Sequence, residues 1–188
     1  MAVIDHIRTE KQRGFNTDFL KDAAGYETWD GVKISETYDS EQTFEVKLED
    51  ILSYSQGVLD PNPIFNDPNH PDFQPHPLFC VPIAFWCIGK GHGSWIRSPG
   101  AINPGQKIEL LEPFRVGDVI TIKQEAYDRW VKRGRHYVTY KLSYYDQRGT
   151  LKAIWWGTLI IPPNRQEMLK YARTIETVKG GQGDQGNL

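Results

Sequence analysis

A proline-rich stretch in the first half of the chain holds most of the side chains that could carry out acid–base chemistry. Asp60, Asn62 and Asp67 are followed in the same stretch by His70 and His76. A carboxylate and an imidazole held at hydrogen-bond distance can activate water or transfer a proton near neutral pH. The spacing alone brings neither histidine to Asp60, and an Asp in a PNP turn often accepts hydrogen bonds from nearby backbone amides. We therefore expect Asp60 to cap the turn or line a pocket, with catalysis as the alternative.

Other candidate sites in the sequence match known motifs less well. The histidines and aspartates of the proline-rich stretch lack a standard metal-ligand spacing, and the prolines would stiffen the loop against closing around an ion. We predict no metal and no other cofactor. His92 belongs to the segment GHGS, which lacks the preceding strand and following helix of a phosphate loop or a nucleophile motif. We predict a flexible connector there.

Two cysteines, Cys80 and Cys87, lie in an apolar run of the chain. Their spacing puts them on one face of a helix, as for core residues. Their neighbours are apolar, whereas a reactive thiol needs a basic and partly exposed setting. We predict two buried free thiols and no disulfide.

A basic cluster is formed by Arg129, Lys132, Arg133 and Arg135 on a predicted hairpin. Such a run is usually a solvated surface, but a ligand that carries phosphates, such as coenzyme A or a carrier protein, would favour it. Both interpretations stay open. We include Arg133 and Arg135 among the candidate substrate-binding residues.

Hydrophobic periodicity predicts the elements that must position these groups. Residues 42–47 alternate as a strand, and apolar residues over 48–59 recur at helical spacing. The prolines between 59 and 82 exclude a persistent helix or strand, so this stretch is predicted to be an ordered loop. Pro82 suits the first position of a helix, and the run IAFWCIGK after it is apolar on nearly every side. That pattern predicts a buried helix.

Four strands are predicted to follow this helix, over 107–111, 119–130, 136–145 and 151–161. The segments KRG and DQRG place glycines where tight hairpin connections require them. Consecutive hairpins with one apolar helix predict an α+β fold, in which an antiparallel sheet wraps around one central apolar helix. The other surface of such a sheet needs a cover, which predicts a dimer or a larger oligomer.

The chain divides into one predicted domain, 41–162, and two flanking segments. Residues 1–40 are predicted to form an extension that packs on the domain, with a short helix near Phe15 and Leu20. Residues 163–188 contain a helix-compatible segment, 166–175, and a glycine-rich tail, 180–188, that is predicted to be disordered.

Composition excludes several classes of partner. The 188 residues include 22 Lys and Arg against 24 Asp and Glu, a net charge of −2 that does not suit a nucleic-acid-binding surface. The longest apolar run, 78–89, is too short to span a membrane. The N-terminal residues mix both signs of charge and lack the apolar stretch of a signal peptide. We expect a cytoplasmic protein that binds neither nucleic acid nor membrane.

The stretch YSQGVLDPNPIFNDP, 54–68, resembles the signature of the MaoC-like hydratases, hot-dog proteins that include the (R)-specific enoyl-CoA hydratases. The family pattern is an aromatic residue, a Gly and then Asp-x-Asn-Pro-x-His-x-Asp-Pro, and Asp60, Asn62, Pro63, Asp67 and Pro68 match it. The resemblance continues through the Pro82 helix and the segments PFRVGDVITI and RHYVTYKLSYYDQRGTLKA, and covers about residues 40–161. VPIAFW and VKRGRHYVTY are similar to the N-terminal or partner-type MaoC domains of heteromeric dehydratases and double hot-dog chains.

One position departs from the pattern, because Phe65 stands where the family has its catalytic histidine. In active members the Asp and the His together activate a water that adds to the β-carbon of an enoyl thioester, and a proton goes to the α-carbon. A phenyl ring cannot take part in that proton transfer. Partner-type domains also tend to carry an aromatic residue there. The resemblance therefore implies the non-catalytic subunit of an enoyl-thioester hydratase or 3-hydroxyacyl-thioester dehydratase.

The resemblance also implies ligands, partners and site residues. The ligand would be acyl-CoA or another acyl thioester, and the partner a second MaoC-like chain or a second copy. Asp60 is the one catalytic candidate, and Asn62, Phe65, Val81 and Ile83 would contact substrate. In the family a backbone N–H near the start of the central helix polarises the thioester carbonyl. The equivalent region is about 81–85, where the proline at 82 cannot donate.

Two alternatives to the non-catalytic subunit stay open. In the first, the chain is a self-sufficient hydratase in which Asp60 works with His70, His76 or His92. In the second, it is a non-enzymatic protein that binds acyl thioesters.

Overall fold

The structure is a computed structural model that describes Lys11 and residues 25–88 and 98–183, with side chains described up to Thr174. The predicted short helix near Phe15 and the GHGS segment with His92 lie outside these residues. Within the described part of the chain, no helix combines the length and the apolarity that crossing a bilayer requires.

The architecture is one antiparallel sheet with a helix against its core face. The strands are β1 (Thr37–Asp39), β2 (Phe44–Glu45), β3 (Ile102–Leu110), β4 (Val119–Lys132), β5 (Arg135–Tyr145) and β6 (Leu151–Ile160). Their order across the sheet is β1-β4-β5-β6-β3, and β2 also pairs with β4. The four consecutive strands predicted from the sequence are confirmed, and so is the α+β arrangement of the sheet around one helix.

Three strands differ from the sequence prediction. β2 is Phe44–Glu45 and not 42–47, because only these two residues pair with β4. β3 begins at Ile102 and not at 107, because the segment NPG is accommodated by a register shift between Ile102 and Gly105. β1 lies before residue 41, where we expected the domain to begin, and it pairs with β4. Part of the predicted extension is therefore a strand of the sheet.

The central helix, α3 (Cys80–Cys87), provides the core layer beneath the sheet. Cys80, Ile83, Ala84 and Cys87 are buried on one of its faces, and they join strand residues in a single hydrophobic cluster. Burial raises the pKa of both thiols to about 12, which makes them unreactive. The prediction of two buried free thiols is confirmed.

The start of α3 differs from the prediction, because the helix begins at Cys80 and Pro82 is its third residue. This costs no hydrogen bond, since the first four amides of a helix have no partner within it. The 3₁₀ turn Pro77–Phe79 leads directly into the helix. The other helices are α1 (Leu48–Gly57), α2 (Pro63–Asn66) and α4 (Arg165–Gly183). α4 ends at Gly183 and not near 175, so the first residues of the predicted disordered tail are helical; 184–188 lie outside the described residues.

Candidate functional site

Asp60 and Asn62 hold the turn that leads into α2. Asp60 Oδ1 accepts a hydrogen bond from the amide of Asn62 at 2.9 Å, and Asn62 Oδ1 accepts one from the amide of Ile64 at 3.1 Å. Asn66 Nδ2 closes the turn by donating to the Asn62 carbonyl at 3.0 Å. Such side-chain-to-amide bonds are typical of Asx turns and helix N-caps. Asp60 therefore caps the turn as expected, and Asn62 has the same kind of role.

The proline-rich loop then returns to Asp60 and places His76 beside it. His76 Nε2 lies 3.6 Å from Asp60 Oδ2, and the two side chains are 18% and 27% exposed. His70 instead accepts a hydrogen bond from the amide of Asp72 within its own turn. Of the three histidines that the sequence offered as partners of Asp60, the structure brings His76 to it, and His92 lies outside the described residues.

The second nitrogen of His76 is also occupied. Its Nδ1 accepts a hydrogen bond from the amide of Leu78 at 3.1 Å, which caps the 3₁₀ turn before α3. A neutral imidazole has one nitrogen that accepts and one that donates. The bond to Leu78 therefore assigns the proton to Nε2, which faces Asp60. In this arrangement His76 has no free lone pair with which to take a proton from water.

Aromatic side chains hold the His76 ring on two sides. The Phe65 ring packs edge-on against it with centroids 5.2 Å apart, and the Tyr54 ring lies 5.7 Å away. Tyr54 also contacts Phe79 at 5.8 Å, which links the loop to the core. Burial, with a smaller contribution from Cys80, raises the pKa of Tyr54. Phe65 thus packs against the loop histidine.

A cleft of about 140 Å³ opens next to His76. One wall is 74–77 and the other is 110–114, which follows β3. Ligand pockets usually enclose roughly 300–1,000 Å³, so the cleft of one chain is small for an acyl thioester. Leu110 and Leu111 form an exposed apolar rim on this cleft.

The remaining predicted site residues lie in two other places. Ile83 is fully buried in the core, so it offers no surface to a ligand in this conformation, and Val81 is half-buried beside it. Arg133 and Arg135 are at the tip of the β4–β5 hairpin. The sequence reading missed Tyr54 and the wall 110–114. Tyr54 opens the matched signature and could have been found there, whereas the wall reaches the cleft only through strand pairing.

Comparison of the sequence with known proteins finds one curated relative. No protein-family model matches the chain. A curated protein of Streptomyces avermitilis described as "UPF0336 protein" is 26% identical over 102 residues, which cover 47% of this chain and 65% of the relative. The chain thus spans somewhat less than two thirds of that relative's length.

Solved structures extend the comparison to most of the described chain. A MaoC-like dehydratase from Rhodospirillum rubrum has a TM-score of 0.58 at 16% identity, covering 72% of this chain and 97% of that one. The unliganded R-hydratase PhaJ1 from Pseudomonas aeruginosa has a TM-score of 0.56 at 16% identity, with coverages of 73% and 86%. The HadBC (3R-hydroxyacyl-ACP dehydratase) complex from Mycobacterium tuberculosis has a TM-score of 0.59 at 16% identity, with coverages of 68% and 96%. The chain therefore has the hot-dog fold of the MaoC-like dehydratases and R-hydratases.

Proposed function

We propose that this chain is the non-catalytic subunit of a hydro-lyase that hydrates enoyl thioesters or dehydrates 3-hydroxyacyl thioesters. The fold is that of R-hydratases and MaoC-like dehydratases, and HadBC is described as a 3R-hydroxyacyl-ACP dehydratase complex. The Asp-x-Asn-Pro segment of the family signature is present, but Phe65 replaces its histidine. In this role the chain contributes an interface and one wall of the acyl site, and a second MaoC-like chain contributes the proton chemistry.

The hydrogen bond that occupies Nδ1 of His76 is the observation that supports this proposal most directly. Adding water across an enoyl thioester needs a base with a free lone pair to remove a proton from that water. The one histidine beside Asp60 in the described chain gives its lone pair to the Leu78 amide. Asp60 Oδ1 accepts a hydrogen bond from the Asn62 amide, and Oδ2 faces His76 Nε2. These groups stabilise the loop, and the Phe65 ring fills the space beside them.

A self-sufficient hydratase is the second candidate, and the 3.6 Å approach of His76 to Asp60 favours it. If the Leu78 amide were released, Nδ1 would become available and the pair would contain both a carboxylate and an imidazole. A true general acid–base group contributes about 10² to 10⁴ in rate, so removal of either partner would be conspicuous.

Turnover of crotonyl-CoA by the purified chain separates the two candidates. His76→Asn keeps an oxygen that can accept from the Leu78 amide but removes the imidazole, and Asp60→Asn removes the carboxylate. His70→Asn is the matched control, because His70 caps its own turn in the same way. We expect negligible turnover by the wild-type chain and by all three variants. Robust wild-type turnover that falls at least 100-fold in Asp60→Asn and His76→Asn but persists in His70→Asn would contradict the proposal.

A second measurement tests the subunit role directly. We expect that the chain forms a complex with a MaoC-like chain that carries an intact Asp-x-Asn-Pro-x-His motif, for which the neighbouring reading frame is the first place to look. In that complex, Asp60→Asn in this chain should change kcat only a fewfold. Binding of acyl thioester without turnover in any assembly would instead favour the non-enzymatic binding protein.

A further inference from the structure

The tip of the β4–β5 hairpin carries a stacked aromatic pair on the outer face of the sheet. Trp130 and Tyr137 are directly opposite each other, and their rings are nearly parallel at 7° with centroids 5.1 Å apart. Both side chains are half-exposed. A cross-strand aromatic pair stabilises a hairpin. Each ring covers one face of the other, and a further planar ring can stack on an outer face of the pair.

Three cations surround this pair. Lys132, Arg133 and Arg135 are exposed and, with Trp130 and Tyr137, line an open cleft of about 460 Å³. That volume is within the usual range for small-molecule sites. All five side chains that line the cleft belong to this one hairpin, so a single chain provides the whole cleft.

The charge at this tip is not balanced by nearby carboxylates. Among the described residues, no acidic side chain lies within ion-pair distance of Lys132, Arg133 or Arg135. Elsewhere on the same sheet, Lys107 pairs with Glu109 and Lys141 with Glu125. A local charge of about +3 on a chain whose net charge is −2 therefore attracts anions to the tip.

The turn itself does not account for Arg133. Arg133 and Gly134 have φ of 50° and 71°, the left-handed region that a two-residue hairpin turn requires. Asn or Gly is the usual residue at the first of these positions, and an arginine there costs backbone energy. The turn geometry therefore gives no reason for an arginine at this position.

The hairpin tip is held rigid from its other face. The Trp29 indole donates to the Tyr137 carbonyl at 3.0 Å, and Arg129 donates to the carbonyls of Trp29 and Val32 at 3.0 and 2.8 Å. Arg129 also lies over the Trp29 ring at 4.7 Å. Residues 29–32 thus hold one face of the tip, and among the described residues the cleft on the other face is open. Such a preorganised surface loses little conformational entropy when it binds a ligand.

This surface is distinct from the His76 cleft. Phe114, which lines that cleft, contacts Tyr144, and Tyr144 pairs with Ile122. Trp130 is eight residues further along β4, which is roughly 26 Å at 3.3 Å per residue. The two sites therefore lie at opposite ends of the same sheet.

We propose that the tip of the β4–β5 hairpin is a binding site for a nucleoside phosphate, with the base stacked on the outer face of Trp130 or Tyr137 and the phosphates held by Arg133, Arg135 and Lys132. Guanidinium groups bind phosphate oxygens with paired N–H donors, and aromatic faces stack on any planar base. Free nucleotides and the adenosine end of coenzyme A share this chemistry. For coenzyme A this inference rests on the proposed hydro-lyase role, and for a free nucleotide it is independent of that role.

Titration of the full chain with ADP at low salt, followed by calorimetry, tests this site. We expect saturable binding of ADP, with adenosine and pyrophosphate each binding at least tenfold more weakly, because each lacks one half of the recognised group. CoA titrated in parallel shows which source of the nucleotide binds more tightly. No heat of binding at millimolar ADP, or pyrophosphate that binds as tightly as ADP, would overturn the proposal.

Three substitutions locate the site. Arg133→Asn is the decisive variant, since Asn suits the turn and the protein should fold at least as well as the wild type. We expect Arg133→Asn and Arg135→Gln each to weaken ADP binding at least tenfold. Lys107→Gln is the control, because Lys107 also lies over an indole, that of Trp156 at 4.6 Å, but belongs to β3. Unchanged ADP affinity in Arg133→Asn, or an equal loss in Lys107→Gln, would show that the site is elsewhere or absent.

Discussion

Lys152 is a buried lysine whose charge is compensated by three carboxylates. Its side chain is 2% exposed, and its Nζ lies 3.3 Å from Asp118, 3.7 Å from Glu112 and 3.9 Å from Asp146. Asp118 and Asp146 are themselves buried. The four groups join β6 to the turns before β4 and after β5, so they fix the end of the sheet next to the His76 cleft.

Replacement of this lysine leaves the buried carboxylate of Asp118 without its ion-pair partner, whereas Asp146 keeps Arg148. Removing one partner of a buried ion pair typically costs about 3–5 kcal/mol. We therefore expect Lys152→Met to lower the free energy of unfolding by about that amount, measured by urea denaturation at neutral pH. Lys107→Met, at an exposed lysine that pairs with Glu109, is the control and should change stability by less than about 1 kcal/mol. Equal effects of the two substitutions would show that the buried cluster contributes no special stability.

Asp146 makes the stability of the same cluster depend on pH. Burial acts to raise the pKa of this carboxyl, but hydrogen bonds from the Arg148 side chain and from the amides of Thr150 and Arg148 outweigh it and hold the pKa well below its usual range. A carboxyl with a lowered folded-state pKa stabilises the fold above its unfolded pKa, about 3.9, and loses that contribution as the pH falls through the folded value.

We expect the difference in the free energy of unfolding between wild type and Asp146→Asn to become smaller at acidic pH. At pH 7 the variant should be less stable than the wild type, and the gap should shrink progressively below about pH 4. Unfolding free energies measured at several pH values check this. A gap that is constant from pH 7 to pH 3 and below would mean that the ionisation of Asp146 is not coupled to folding.

The hairpin turn between β4 and β5 offers a test at the scale of one element. Arg133 has a positive φ of 50°, where a non-glycine residue carries strain of order 1 kcal/mol, and Asn tolerates this region better. We expect Arg133→Asn to raise the stability by up to about 1 kcal/mol, which is a Tm increase of roughly 2–4 °C for a chain of this size. Differential scanning calorimetry measures it. A lower Tm would mean that the Arg133 side chain makes stabilising contacts within the protein.

Elements with a strong local pattern could be predicted from the sequence. The alternation that predicts β4, β5 and β6 is a property of each strand, and the observed bounds agree within a few residues. β3 was predicted too short because Pro104 and Gly105 interrupt its pattern, whereas pairing with β6 carries the strand through them. The capping role of Asp60 was also predictable, since an Asx turn involves adjacent residues.

The approach of His76 to Asp60 could not be predicted in the same way. It depends on the path of the proline-rich loop, on the turn that Leu78 closes and on the packing of Phe65 against the imidazole. None of these is a periodic or a local property of the sequence. The sequence therefore identified the histidines as candidates, and the tertiary structure selected one of them.

At the scale of the whole molecule, the open edge of β3 argues for self-association or for a second chain. β3 is the last strand in the order and pairs with β6 on one side, so within the described residues its other side has no strand partner. Exposed apolar side chains lie at both ends of the strand, at Ile102, Leu110 and Leu111. A long unpaired edge with apolar residues is a surface that proteins usually cover.

We therefore expect a dimer or a larger oligomer at micromolar concentration, which sedimentation velocity would detect. The double variant Ile102→Lys, Leu110→Lys should shift the population toward monomer, because burying two lysines at an interface is unfavourable. Ile34→Lys is the control, since Ile34 is another exposed apolar residue and lies in the N-terminal segment outside β3. A stable wild-type monomer would contradict the prediction. If the double variant still forms a dimer and Ile34→Lys does not, the interface lies outside β3. If the proposed second MaoC-like chain competes for the same edge, adding it to the wild type should convert the self-associated form into the mixed complex.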